Sequence, residues 1–272
     1  MSKIRIKWAL MMLAGCMALN AQQANKTASP AAANVLCGMG AKQGCRVLYI
    51  GDSITDGDWC RMDGKQSSER KSKEWDMNHI FGHGYMSLCA SHYMSRYPTM
   101  RYRFYNRGIS GNQLFQLAKR WKTDVLDMKP DVLSILIGTN DAEYYLKDTS
   151  QPFDYKFWEK QYRSLLDSTR KVNPQVKFVL CAPFVAKSGT RGSNSNYETR
   201  HKVVAQLAGI VKKIAVDYKA VYLPLDELVS KTIASTPTLP AEYWIWDGVH
   251  PTPAMHQLIA DYWIKQTTKS IK

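Results

Sequence analysis

No apolar run in this 272-residue chain is long enough to cross a bilayer. The longest, WALMMLAGCMAL, covers positions 8–19, whereas a spanning helix needs about twenty residues. Cysteine is sparse at six residues, and none stands at metal-site spacing. There is no internal repeat and no sign of a second domain. Positive charge exceeds negative, for a net +14, yet the cations are scattered apart from ERKSK at 69–73. No nucleic-acid motif accompanies them, so the surplus reads as a solvated basic surface.

What is present begins with an export signal. Lys3, Arg5 and Lys7 precede the short apolar run, the pattern of a secretory leader. Two processing routes are open. LNA at 19–21 suits cleavage before Gln22, while LAGC at 13–16 resembles a lipobox that would lipidate Cys16. Either route takes the protein out of a bacterial cytoplasm, to the periplasm, the medium or a membrane-anchored position, and a single lipid anchor tethers without spanning. Residues 22–45 read as a tether, rich in small and polar residues at its start. Cys37 and Cys45 can close a small loop in an oxidising compartment, and Cys181 reads as a small core residue.

From residue 46 to the end, strand and helix signals alternate. Apolar runs stand at RVLYIG, YRFYNRG, DVLSILIG, VKFVLCAP and AVYLPL. Between them, Leu114, Leu117, Ala118, Trp121 and Val125 recur at helical spacing, as do Val203, Val204, Leu207, Ile210, Val211 and Ile214. A last helix is expected after Thr252 as cap and Pro253 in its first turn. Strands buried on both faces and separated by helices imply a parallel sheet of about five strands between helical layers.

In such a sheet, ligands bind at the carboxyl ends of the strands. The first strand ends in GDS, the second in NRGISGN, the third in IGTND, and DGVHP stands just before the last helix. These place Ser53, Gly111, Asn140, Asp247 and His250 on one edge. Ser53 suits a nucleophile and His250 its base, with Asp247 orienting the imidazole three residues away. The Ser53 and Gly111 backbone N–H groups and the Asn140 amide suit an oxyanion hole. Asp52 and Asp141 are expected to brace their loops.

The four blocks GDSITDG, NRGISGN, GTND and DGVHP, in this order, resemble those of the SGNH (GDSL) hydrolases, esterases and lipases. The G-x-S-x-G turn of the α/β-hydrolases is absent. The resemblance covers residue 46 to the end and implies a three-layer α/β/α, flavodoxin-like domain with no metal and no organic cofactor. It implies an ester hydrolase with a Ser53-His250-Asp247 triad. Short acyl esters, acetyl above all, on a glycan or small molecule are the expected substrate. A lysophospholipase or thioesterase is the competing enzyme, and a glycan-binding module without catalysis the competing class.

Residues at the site's margin are candidates for substrate contact. Tyr243, Trp244 and Trp246 precede the histidine and offer aromatic faces, although at least one can equally serve the core. His79 stands near the end of a long polar insertion at 58–80 that can shape the site. His79 and His83 lack a third ligand, so no metal is expected there. The Gly/Ser/Asn-rich segment 184–196 follows the fourth strand and reads as a mobile loop lying over the pocket.

Overall fold

The computed structural model describes Leu36 and residues 43–59, 79–192 and 196–270. The expected leader, Cys16, Cys37 and most of the insertion at 58–80 lie outside the described residues. The five expected strands form. In chain order the elements are β1 (Arg46–Gly51), α1 (Ser53–Asp56), α2 (Tyr85–Arg96), β2 (Arg103–Gly108), α3 (Leu114–Trp121), β3 (Val132–Leu136), α4 (Thr139–Tyr145) and α5 (Tyr155–Val172). They continue with β4 (Lys177–Cys181), α6 (Gly189–Gly192), α7 (Tyr197–Asp217), β5 (Val221–Leu223), α8 (Leu225–Ser235) and α9 (Pro253–Ser270).

All strands pair in parallel, in the order β2-β1-β3-β4-β5. Helices α2 and α9 pack together on one face, and α3, α5 and α7 line the other. This is the three-layer architecture the alternating pattern demands. Both faces are covered, so β3 is buried at every position and β1 at all but its first. Tyr49 of β1 packs against Tyr85, Phe104 and Trp263. The indole of Trp263 donates to Ser134 Oγ at 3.0 Å, which satisfies two polar groups inside the core.

Two local readings differ from expectation. The stripe through Leu114 and Val125 is helical, but α3 stops at Trp121 and Lys122–Leu126 form a wider π turn. The apolar spacing cannot register one inserted residue per turn. Thr252 precedes α9 as expected, but its hydroxyl donates to the Tyr243 carbonyl, and it is its own carbonyl that accepts the His256 N–H.

Strand order reverses at β1, with β2 on one side and β3 on the other. That reversal opens a crevice at the carboxyl ends of neighbouring strands, the place where sheets of this kind take ligands. Ser53 follows β1 directly, and Asn140 follows β3.

Candidate active site

The backbone turns sharply where β1 ends. Asp52 is extended and caps α1, its carboxylate accepting the Ile54 N–H at 3.0 Å. Ser53 therefore begins a helix, where its own N–H has no intrahelical acceptor. Asn106 and Asp56 lock the next turn against it. The Asn106 amide donates to the Thr55 and Asp56 carbonyls, and Asp56 accepts from the Ser110 N–H and hydroxyl. Gly108 lies flush against this turn, since a Cβ there would stand 2.2 Å from the Asp56 nitrogen.

The second half of the site is built by a closed turn at 244–252. Trp246 N–H bonds to the His250 carbonyl, and Thr252 N–H to that of Trp244. Inside it, one Asp247 oxygen accepts the N–H groups of Val249 and His250 at 2.9 and 2.7 Å. Its other oxygen stands 2.7 Å from His250 Nδ1. Burial would raise this carboxyl, but the bonds from the His250 ring and the two backbone N–H groups outweigh it and hold Asp247 at about 2. Asp247 is thus ionised at neutral pH and can only accept, so the proton between them sits on Nδ1.

That leaves His250 Nε2 as an acceptor. Ser53 Oγ lies 2.8 Å from it, across 197 residues of sequence. Hydroxyl, imidazole and carboxylate form one continuous line.

Candidate donors follow the carboxyl ends of the neighbouring strands β1, β2 and β3. Among the described residues, the N–H groups of Ser53 and Gly111 donate to no protein group. Gly111 has φ +80° and open space where a Cβ would project, so a side chain there would be strained by the backbone rather than by a clash. The Asn140 amide nitrogen gives one hydrogen to the Asn112 carbonyl at 3.2 Å and keeps one free. Arg120 holds Asn112 in turn, its Nε donating to Asn112 Oδ1 at 2.9 Å and its other nitrogens to the Gly51 and Arg107 carbonyls.

Asp52 and Asp141 brace loops as expected. Asp141 accepts the Leu114 N–H and, at 3.0 Å, the Trp158 indole. Burial lifts Asp52 to about 7 and Asp141 to about 6, against hydrogen bonds that lower both. The folded state therefore holds a proton on Asp52 that the unfolded chain has already released. Between about pH 4 and 7, this group's contribution to stability falls as pH rises. Asp52→Asn keeps the capping oxygen and removes the buried charge. Its melting temperature should exceed the wild type's by a few degrees at pH 8 and converge with it near pH 4. Parallel melting curves across that range would refute the assignment.

The substrate-contact candidates divide. Trp246 is 58% exposed and stacks on the His250 ring at 6.0 Å and 23°. Tyr243 is 49% exposed and meets Trp244 edge to face. Trp244 is itself half-buried, its indole donating to Thr236 Oγ1 at 2.9 Å, so it anchors the turn. His79 is exposed and packs against His83; among the described residues it makes no bond to Ser53, Asp247 or His250. No cluster of metal-binding side chains occurs among the described residues.

The described part of segment 184–196 is not a free loop. Ala186 N–H bonds to the Gly248 carbonyl and Arg191 N–H to that of Asp247, so the segment backs the histidine turn. Its glycines read as flexibility in sequence, but here they permit close packing. Arg191 and Arg120 are charged neighbours of the site that sequence reading missed, because a lone arginine carries no local signal. A cavity of about 340 Å³ between α7 and α8, bordered by His201 and Asp226, contains none of the catalytic candidates. The candidates are gathered instead by the line of bonds at the sheet edge.

A Ser-His-Asp line of bonds at the switch point of a three-layer fold is an arrangement suited to acyl transfer, and the likeness to known proteins makes this chain a carboxylic ester hydrolase. The chain belongs to the GDSL-like lipase/acylhydrolase family, whose model matches residues 49–258. It is 30% identical to an acetylxylan esterase of Geobacillus stearothermophilus over 82% of this chain and 94% of that one. A crystal structure of that esterase superposes with a TM-score of 0.63 at 28% identity, covering 84% of this chain and 96% of the other. A structure from Parabacteroides merdae, named for its likeness to GDSL lipases, gives 0.72 at 30% identity, covering 86% of this chain and all of that one. Further structures of the Geobacillus esterase are of catalytic mutants. A serine, a histidine, or the aspartate three residues before that histidine is replaced by alanine.

Among the described residues, no helix is long and apolar enough to cross a membrane. Cys45 is disulfide-bonded to a partner outside the described residues, while Cys89 and Cys181 are free and buried.

Proposed function

We propose that the protein removes acetyl or similarly short acyl groups from carbohydrate by a double displacement at Ser53. The observation that carries this reading is the 2.8 Å approach of Ser53 Oγ to His250 Nε2, continued to Asp247 at 2.7 Å. Oγ attacks the ester carbonyl carbon as its proton passes to Nε2. The carbonyl oxygen takes the negative charge and is met by the Ser53 and Gly111 N–H groups and the free hydrogen of Asn140. As the tetrahedral species collapses, His250 returns the proton to the departing alkoxide and the acyl group stays on Ser53. Water, activated by the same imidazole, then releases the carboxylic acid. Asp247 remains ionised throughout and stabilises the imidazolium.

The substrate class rests on different support. The relative matched over most of both chains is an acetylxylan esterase. Trp246 offers an exposed ring stacked on the base, and Tyr243 a second exposed ring on the same stretch of chain, as binding of a sugar ring would use. Residues 1–21 are read as an export leader, with lipidation at Cys16 the alternative ending. Residues 22–45 are read as a tether and 46–272 as the hydrolase domain, which would put the enzyme where polysaccharide is met.

The test is a panel of nitrophenyl esters of increasing chain length beside acetylated xylo-oligosaccharides. Acetate esters should be turned over fastest, and the acetylated glycans should compete with them. A preference for long acyl chains would replace this reading with a lipid or thioester substrate.

A further inference from the structure

We propose that Arg191 is a positioning residue for the Asp247 carboxylate, tying it through Glu143 to the helix that carries Asn140. The inference rests on the triad reading above and adds a member that does not touch substrate.

Arg191 sits in α6, and its backbone N–H donates to the Asp247 carbonyl at 3.0 Å. Its Nε stands 3.5 Å from Asp247 Oδ2, the oxygen that also faces His250 Nδ1. One of its terminal nitrogens lies 3.4 Å from Glu143 Oε1. Glu143 is on α4, three residues after Asn140, so the two project from nearly the same face of one helix. A second arginine completes the arrangement. Arg200 on α7 is buried, with its Nε 2.7 Å from the same Glu143 oxygen and another nitrogen donating to the Arg191 carbonyl at 2.8 Å. Arg200 thereby holds both the carboxylate and the backbone that present the Arg191 guanidinium.

The two arginines have different tasks. Arg200 is 3% exposed, and stripping a partner from a buried ion pair is strongly destabilising, so its role is to hold the assembly together. The Arg191 side chain is 40% exposed and contributes modestly to folding. Its consequence falls on Asp247. Three hydrogen bonds already hold the carboxyl group, and the Arg191 cation near Oδ2 adds a further restraint on its rotation, and with it on the imidazole. It also tempers how strongly the carboxylate favours a protonated His250. Other charged or titratable groups bear on that imidazole. Asp52 interacts with it from the β1–α1 turn. His256 on α9, pushed down to about 4 by burial and by His250, stays neutral. Neither changes when Arg191 is replaced.

The experiment compares wild type, Arg191→Gln, Arg191→Lys and Ser53→Ala on nitrophenyl acetate, with kcat and KM measured across pH. Arg191→Gln should melt close to wild type and lose about tenfold in kcat with KM within about twofold. Its acid limb should move about half a pH unit upward, since the protonated imidazole no longer shares space with that cation. Arg191→Lys should restore the acid limb but only part of kcat, because an ammonium lacks the planar fork. Unchanged kcat and pH profile in Arg191→Gln would overturn the proposal, and so would a rise in KM alone. If Arg191→Gln fails to fold, Arg191→Lys decides, and wild-type kcat there also overturns it. Turnover surviving in Ser53→Ala would bring down the triad itself and this proposal with it. An inactive Ser53→Ala beside an unaffected Arg191→Gln would remove Arg191 alone.

Discussion

Ser53→Ala is expected to lose at least about 10⁴-fold in kcat while keeping its fold. The hydroxyl is partly exposed at the mouth of the crevice and its hydrogen bond is to His250 Nε2. Removing it opens no core cavity and orphans no buried partner, so circular dichroism and melting should match wild type. Its loss takes away the only atom in the line that can form the acyl bond. What persists should be the slow rate due to binding and the oxyanion donors. The same variant should resist labelling by a fluorophosphonate probe that marks wild type at Ser53. Wild-type turnover in Ser53→Ala would remove the nucleophile. A wild type that neither turns over esters nor takes the label would favour a glycan-binding role.

Asn140→Ala should cost about 10² to 10³ in kcat with little change in KM. The split follows from when the interaction forms. A ground-state carbonyl oxygen carries partial charge and gains little from a neutral amide. The full negative charge develops only on the way to the tetrahedral species. Asn140 is also held before substrate arrives, by the Asn112 carbonyl and through it by Arg120, so its free N–H costs no reorganisation at the moment of reaction. Asn140→Asp is the harsher form of the test, because a carboxylate would meet the oxyanion with like charge. A pure KM effect in Asn140→Ala would take this residue out of the hole.

The fold was readable because most of its strands are short apolar runs, while the edge strand β2 alternates. β1 and β3 are buried on both faces, so nothing in them alternates and the runs stand out as RVLYIG and DVLSILIG. Helix α7 was equally plain. Val203, Val204, Leu207, Val211 and Ile214 are buried at the spacing read from sequence. The limits appear where structure depends on a single bond rather than a period. The π turn after Trp121 and the double use of Thr252 carry no signature of composition. Segment 184–196 was misread because glycine has the same appearance in a loose loop and in a tight contact. Gly189 and Gly248 both have positive φ, and a Cβ on either would meet backbone of the opposing turn within 3 Å.

Residue types and their order along the chain were enough to nominate candidates for the site, since a nucleophile, a base, an acid and close-approach donors are scarce chemistries that stand at the ends of strands. Distance was not. Whether Ser53 and His250 meet depends on how β1 and the turn before α9 lie across the sheet, which is a property of parallel strand order and helix packing rather than of either segment. The same holds for Arg191, whose partners Asp247 and Glu143 come from separate turns of the chain. Charge acts through space, and only the folded chain decides which charges are near.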